Sequence, residues 1–540
     1  MRNRRDLLKA FAAGAALTRL PAAIAPAAAA TEPDLVLRLT AAPDRLPLWP
    51  VETTSVLRFS GEVLRGRRDA LRPSSAYLGP VLDLRRGERV RIHFVNRSGE
   101  PSIIHWHGML VPEAADGHPR FAVASGAEYV YDFEVRNPAG TYLYHPHPHG
   151  RTGRQVYAGL GGLLIVREPN EAAVGLPAGE HELAIVLQDR RIDGSNRLVY
   201  RRMMMDEMTG VLGDRVLVSG MPNAAFKVAR RGYRLRVANM SNARIYKLAW
   251  SDGRPLNVIA ADNGLFSRDE GMQVRPYVVL APFERVELLE DFGTRAPGAE
   301  VALVSRQFED RMMSDMMNMM GGGAGGMMDR GGGGMMERGR GGMMGGGMMD
   351  MMRGMMGGGM GGGMGGMMGG GQGDEMHIAE FTVAREAAGP RAAPELPAAS
   401  APPREGRHEL HTQLAFRHMR GFFNGRAFDH RDMTAVADDE RLPVGQSTLW
   451  TFANDGPGMP MPHPIHIHGV RLRVLERSGA PAPADLREGL IDAGYKDTFL
   501  IFAGETVRVQ LAPTEPGLFM YHCHNLEHED GGMMRNCRFG

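Results

Sequence analysis

Glu505-Thr-Val-Arg-Val-Gln-Leu511 alternates polar with apolar side chains and follows the turn signal Ala503-Gly504. A period of two marks a strand with one face turned to a core. The pattern recurs at Arg89-Val-Arg-Ile-His-Phe-Val95, Tyr233-Arg-Leu-Arg-Val237 and Arg285-Val-Glu-Leu-Leu289. Arg86-Gly87-Glu88 and Arg231-Gly232 supply turn signals before the first two. From about Leu35 onward no long segment has helical periodicity. Short strands at regular spacing predict an all-β chain of sandwiches or barrels. The 540 residues exceed a single core, so three or four such units are expected.

The units repeat weakly. A Gly-Glu strand opening occurs at Gly87 and again at Gly504. His-x-His-Gly occurs at His105–Gly108 and at His466–Gly469, and a closing Tyr-His at Tyr144-His145 and Tyr521-His522. First and last units therefore look related, with a unit between them that lacks these histidines. Boundaries are expected near residue 170 and near residue 400, where Arg391–Pro403 is rich in Pro and Ala. The domains read as 31–170, 171–400 and 401–540. Within the second, residues 312–373 form a Met/Gly-rich insertion, with 22 Met between Met312 and Met368. Gly is entropically costly to order and Met specifies packing poorly, so no fixed core is expected there.

Residues 1–30 read as a removable leader. Arg4-Arg5 with Leu7 and Leu8, an apolar stretch from Ala10 to Leu17 and an Ala run ending at Ala30 resemble a twin-arginine export signal. A periplasmic, monomeric protein is expected. No other stretch is long enough to span a bilayer. Without the leader the chain carries 58 basic and 61 acidic residues, and so lacks the excess that nucleic-acid binding requires.

Ten of the nineteen histidines fall into four clusters: His105 and His107; His145 and His147; His463, His466 and His468; His522, His524 and His528. Side chains two apart on a strand share a face. His522 and His524 thus face one way and Cys523 the other, so one strand can serve two metal sites. A soft Cys523 thiolate, imidazoles from His463 and His528 and a weak axial Met533 make the trigonal set of a blue copper. Met534 takes the axial place if the register differs by one. The remaining eight imidazoles pair as His105/His107, His145/His147, His466/His468 and His522/His524, enough for three copper ions with open positions that can bind dioxygen. Cys537, the second of two cysteines, is expected as a free or buried thiol.

These motifs, in this order, resemble the multicopper oxidase family, and most of all its bacterial periplasmic copper efflux oxidases. Tyr144–Gln155, Gly213–Val218, Tyr495–Thr498 and His522–Asp530 carry the match. The resemblance implies three cupredoxin-like Greek-key β-sandwich domains and four copper ions: a type 1 copper in the last domain and a trinuclear cluster between first and last. By family pattern, His105 and His466 hold the type 2 copper. His107, His145, His147, His468, His522 and His524 hold the type 3 pair. Asp116 and Glu529 match acids that supply protons for dioxygen reduction. Asp315, Met316, Met317 and Met461 match positions that hold a substrate copper, and thioethers prefer Cu(I). Met459 stands where that family has Asp, and the insertion lacks histidine. The implied activity is oxidation of Cu(I) or small phenolic reductants by dioxygen, serving copper detoxification. A laccase or bilirubin-oxidase-like enzyme, a degenerate cupredoxin acting structurally in cell division and a copper buffer are the alternatives. The intact set of ten His plus Cys523 argues against the last two.

Overall fold

Three times along the chain a strand pairs in parallel with a later strand of the same sheet. Leu35–Leu46 lies parallel to Arg89–Asn96, Glu182–Arg190 to Gly232–Asn239, and His408–Arg417 to Thr448–Ala453. Each such pair centres one sheet, and a second sheet closes over it. The second sheets repeat the device: Val81–Arg85 lies parallel to Gly162–Arg167, Ala224–Val228 to Met376–Val383, and Arg441–Leu442 to Met534–Phe539. Among the described residues the result is six sheets, stacked as three β-sandwiches that share this parallel pairing. The computed structural model describes residues 32–50, 52–74, 77–200, 203–310, 371–385, 394–399, 408–459, 461–480 and 482–540. Residues 1–30, most of the Met/Gly-rich insertion and most of 391–403 lie outside the described residues. Among the described residues no helix is long and apolar enough to cross a membrane.

Each sandwich has its own core, because each sheet hides its apolar face against its partner. Trp106, Phe94 and Leu164 fill the first, Trp250, Phe292 and Phe381 the second, Trp450, Phe452 and Phe519 the third. The boundaries expected near 170 and 400 fall between Gly162–Arg167 and Glu182–Arg190, and before His408–Arg417.

The polar face of Gly232–Asn239 is buried as completely as its apolar face. Alternation alone does not foresee this. Arg234 and Arg236 are covered because they pair with acids at the junction between first and second sandwiches. Glu287 accepts hydrogen bonds from Arg234, Arg236 and, at 2.7 Å, Thr141 of the first sandwich. Glu182 accepts from Arg236 at 2.8 Å and from Arg167, again of the first sandwich, at 2.8 Å. Burial works against ionisation of both acids. The arginines, Arg234 then Arg236 at Glu287 and Arg236 then Arg167 at Glu182, outweigh it and hold both carboxyls below their ordinary range.

A carboxylate whose folded pKa is depressed contributes stability above its unfolded pKa of about 4.3 and loses it as pH falls. Glu287→Gln is therefore expected to lower unfolding free energy at pH 7 by about 3 kcal/mol, the scale of stripping one partner from a buried pair. It should also flatten the fall of stability below about pH 5. Urea denaturation of wild type and variant at pH 7 and pH 4 reads both. An equal loss at the two pH values would remove the ion-pair explanation.

Candidate metal centres

Two antiparallel strand pairs bring the histidine clusters together. In the third sandwich His463–Ile467 pairs with Gly517–Cys523 so that His466 lies opposite His522 and Ile465 opposite Cys523. In the first, Ile104–His107 pairs with Gly140–Pro146 so that His105 lies opposite His145. These are equivalent strands of repeated sandwiches. All eight paired imidazoles are buried. The His105 and His468 rings stack at 3.7 Å between centroids, and those of His107 and His466 at 3.8 Å.

The hydrogen bonds of each ring reveal which nitrogen is left over. His105 Nδ1 donates to the Asp116 carbonyl at 2.6 Å, and His466 Nδ1 donates to the Asp497 carbonyl at 2.9 Å. Their Nε2 atoms then carry bare lone pairs, yet they face each other at 3.3 Å. His468 Nδ1 donates to the Asp116 carboxylate at 2.8 Å, and His522 Nδ1 lies 3.2 Å from both the Cys523 carbonyl and a Glu529 oxygen. Their Nε2 atoms face each other at 3.0 Å. Two lone pairs at this distance repel unless a cation joins them. A proton is disfavoured, because burial first, then neighbouring imidazoles, pushes His105 and His468 well below the usual histidine range. His107 Nδ1, His145 Nε2, His147 Nδ1 and both nitrogens of His524 are buried without a partner. An imidazole-only donor set that leaves this many nitrogens bare fits copper ions.

Asp116 and Glu529, expected beside this cluster from the family resemblance, are both buried against it. Glu529 lies 3.2 Å from His522 and 3.6 Å from His147. Burial opposes its ionisation, but His522 and then His147 hold its carboxyl down to about 2. Burial, reinforced by the charge of Glu113, pushes Asp116 well above the usual range. The two acids thus occupy opposite protonation regimes on two sides of one cluster.

Across the strand, the Cys523 thiol faces the third core. His463 Nδ1 is 3.4 Å and His528 Nδ1 3.6 Å from its Sγ, and all three groups are buried. Burial raises the thiol's pKa to a value at which it stays protonated unless a cation is bound. His528 Nε2 donates to the Met208 carbonyl at 2.8 Å, which fixes the ring so that Nδ1 points at sulfur. Met533 packs in the same core cluster as Cys523, whereas Met534 packs with Phe428 and Met520 elsewhere. Of the two, Met533 is the one that shares a core with Cys523. Gly421 leaves it room: a Cβ there would come within 2.4 Å of the Met533 sulfur. Cys537 pairs opposite Phe519, four residues along the strand from Cys523, or about 13 Å away. That separation is too great for a disulfide, and both thiols are free.

Of the four residues expected to hold a substrate copper, Met461 is described; Asp315, Met316 and Met317 lie outside the described residues. Met461 is buried with Met208 and Phe416, and Met205, Met419 and Met459 pack against them. A small pocket lined by Met208, Met461, Asp310 and His528 reaches the edge of the Cys523 site. Sequence reasoning did not single out Met205, Met208, Met419, Asp310, Arg285, Asp497 or Thr498. Only Asp497 and Thr498 had a signal, inside the quoted Tyr495–Thr498 match.

Residues 62–171 and 403–538 each match a family model described as multicopper oxidase. Multicopper oxidase mco of Staphylococcus haemolyticus is 27% identical over 85% of this chain and 81% of its own. Cell division protein FtsP of Xenorhabdus nematophila is 36% identical, but over 40% of this chain and 45% of its own. The crystal structure of the McoA multicopper oxidase of Aquifex aeolicus superposes with a TM-score of 0.71 at 29% identity, covering 94% of this chain and 97% of that one.

Cys523→Ser is expected to abolish the intense visible band of a copper–thiolate pair and to lower bound copper by one equivalent per chain. Absorbance and metal analysis of the copper-loaded protein check this. A band that survives would take Cys523 out of the metal site.

Proposed function

This chain belongs to the multicopper oxidase family, and from that premise we propose that it oxidises Cu(I), and small phenols secondarily, while reducing dioxygen to water. Copper ions held by these residues would supply one-electron exchange at the Cys523 site and dioxygen binding at the histidine cluster. His463, Cys523, His528 and Met533 would hold the first, and the eight paired imidazoles the other three. The protein's own contribution begins at Cys523. Its backbone continues directly into His522 and His524, so the route between the two centres is covalent and short. The same alternation keeps the centres on opposite faces of the strand.

Making water consumes protons inside a buried cluster. Asp116 receives the Nδ1 proton of His468 and lies beside His105, while Glu529 lies against His522 and His147. Each is in reach of a ring and needs no movement to pass a proton. Thr152 and Gly153 donate their backbone N–H to Asp530, next to Glu529, at 2.9 and 3.0 Å, so the segment carrying Glu529 is tied to the first sandwich.

The observation that carries the cuprous reading is the pocket at His528. Met208 and Met461 put thioethers there, Asp310 adds a carboxylate, and Met205, Met419 and Met459 extend the sulfur-rich wall around Phe416. Soft sulfur with one negative charge suits a monovalent soft cation better than a neutral phenol. Phe416 also packs on the His528 ring at 4.7 Å, which joins this wall to the electron-accepting site. Met459 stands where the resembling oxidases have Asp and packs against the same cluster, a departure from their pattern. Asp315, Met316 and Met317 belong to this reading through their sequence match. The local likeness to a cell-division protein is weighed against the convergence of ten histidines and Cys523, for which a purely structural role has no use.

Met208→Leu with Met461→Leu, a swap that conserves volume, is expected to raise KM for Cu(I) about tenfold or more while leaving the visible band intact. KM for a small phenol should change less than about twofold. Steady-state oxygen consumption with each reductant measures both. Equal loss with the two reductants, or no change with Cu(I), would sink the cuprous assignment.

A further inference from the structure

The middle sandwich contributes none of the expected copper ligands; it packs Phe283 on His524 at 3.9 Å, and its polar link to the histidine cluster runs through a carboxylate of the third sandwich, Asp497. Asp497 is fully buried. Arg285, from the middle sandwich, donates Nη1 to its Oδ1 at 2.7 Å and Nη2 to its Oδ2 at 2.6 Å. Asn263, from the same sandwich, donates Nδ2 to Oδ2 at 2.7 Å. Such a two-pronged clamp fixes the plane of the carboxylate as well as its position. Asp262 steadies the segment by accepting from the backbone N–H of both Asp497 and Thr498 at 3.3 Å.

The held carboxylate faces two rings. His107 Nε2 donates to Asp497 Oδ1 at 3.0 Å and lies 3.2 Å from Thr498 Oγ1. His466 Nδ1 donates to the Asp497 carbonyl and lies 3.1 Å from the same hydroxyl. Thr498 Oγ1 in turn donates to Asp497 Oδ1 at 2.9 Å. Because Nε2 of His107 is engaged, its bare nitrogen is Nδ1; because Nδ1 of His466 is engaged, its bare nitrogen is Nε2. The two rings, stacked in parallel, therefore present different nitrogens. Gly108, directly after His107, has a φ of +84°, and a Cβ there would meet Asp497 Oδ2 at 2.4 Å and Arg285 Nη2 at 2.7 Å. Glycine at that position leaves the space the clamp occupies.

The geometry points to Asp497 as a positioning residue: clamped by Arg285 and Asn263, it fixes through itself and Thr498 which nitrogen of His107 and of His466 faces the cluster. One residue thus sets a ring expected at the type 3 pair and a ring expected at the type 2 copper, and the middle domain is what holds it. Partners of this kind tune the affinity and spectrum of a metal without touching it. The inference rests on the copper reading of the cluster.

The test uses copper-loaded full chain and two variants, Asp497→Asn and Arg285→Lys. Asn keeps the shape but loses the charge and an acceptor; Lys keeps the charge but loses the two-pronged geometry. Three signals are read: the type 1 visible band, the hyperfine splitting of the type 2 electron paramagnetic resonance signal, and the rate of copper loss to a chelator. The type 1 band is expected at wild-type intensity in both variants. The type 2 splitting should shift, and cluster copper should leave about tenfold faster in Asp497→Asn. Arg285→Lys should move both signals the same way by less. A wild-type type 2 spectrum and wild-type copper retention in both variants would overturn the positioning role. If Asp497→Asn does not fold, Arg285→Lys decides by the same criterion. A wild-type chain that retains no cluster copper would instead defeat the copper reading, which the wild-type sample alone reveals.

Discussion

An extended backbone turns successive side chains to opposite faces, and at His522-Cys523-His524 that constraint ties two metal environments to one strand. The register of the neighbouring strand follows from it. Ile465 opposite Cys523 and His466 opposite His522 keep the thiol on the core side and the imidazoles on the side that meets the first sandwich. A slip of one residue would bury two imidazoles among Trp450, Phe452 and Phe519 and send the thiol to the histidine cluster. The surrounding core thus helps to fix which face each of these side chains takes.

Burial sets the second condition. Ten imidazoles are taken out of water, and every buried ring nitrogen then needs a partner or a cation. In most rings the protein satisfies one nitrogen with a carbonyl or carboxylate and leaves the other bare toward the cluster. His105 and His466 lean on backbone carbonyls, His468 on Asp116, His107 on Asp497 and His528 on the Met208 carbonyl. These partners come from all three sandwiches. The middle sandwich, which carries none of the expected ligands, thus holds through Arg285 and Met208 groups that orient histidines of its neighbours.

The same junctions are electrostatic. The Arg234, Arg236, Glu182 and Glu287 network of the second sandwich is joined to the first by Arg167 and Thr141, and Arg285, Lys496, Asp262 and Asp497 pair between second and third. Unpaired, each of these charges would be costly to bury; as networks they favour one arrangement of the sandwiches. The cluster between first and third sandwiches needs that arrangement, since its ligands come from separate cores.

The sequence by itself determined the strands, through their period of two, and the ligand types, through histidine spacing that a strand must resolve into two faces. It also set Cys523 apart from the imidazoles beside it, since that depends only on neighbouring residues. It left Met533 and Met534 open; in the fold these adjacent residues enter different cores, and Met533 is the one beside Cys523. It was silent on Arg285, Met208 and Asp310, and gave Asp497 and Thr498 no role. Asp497 lies more than two hundred residues from its clamp Arg285, and nothing local to either announces the other. An alternating strand such as Gly232–Asn239 likewise conceals that its arginines are buried. Whether a polar face meets water or another domain depends on which surfaces pack together, and that is settled only when the sandwiches assemble.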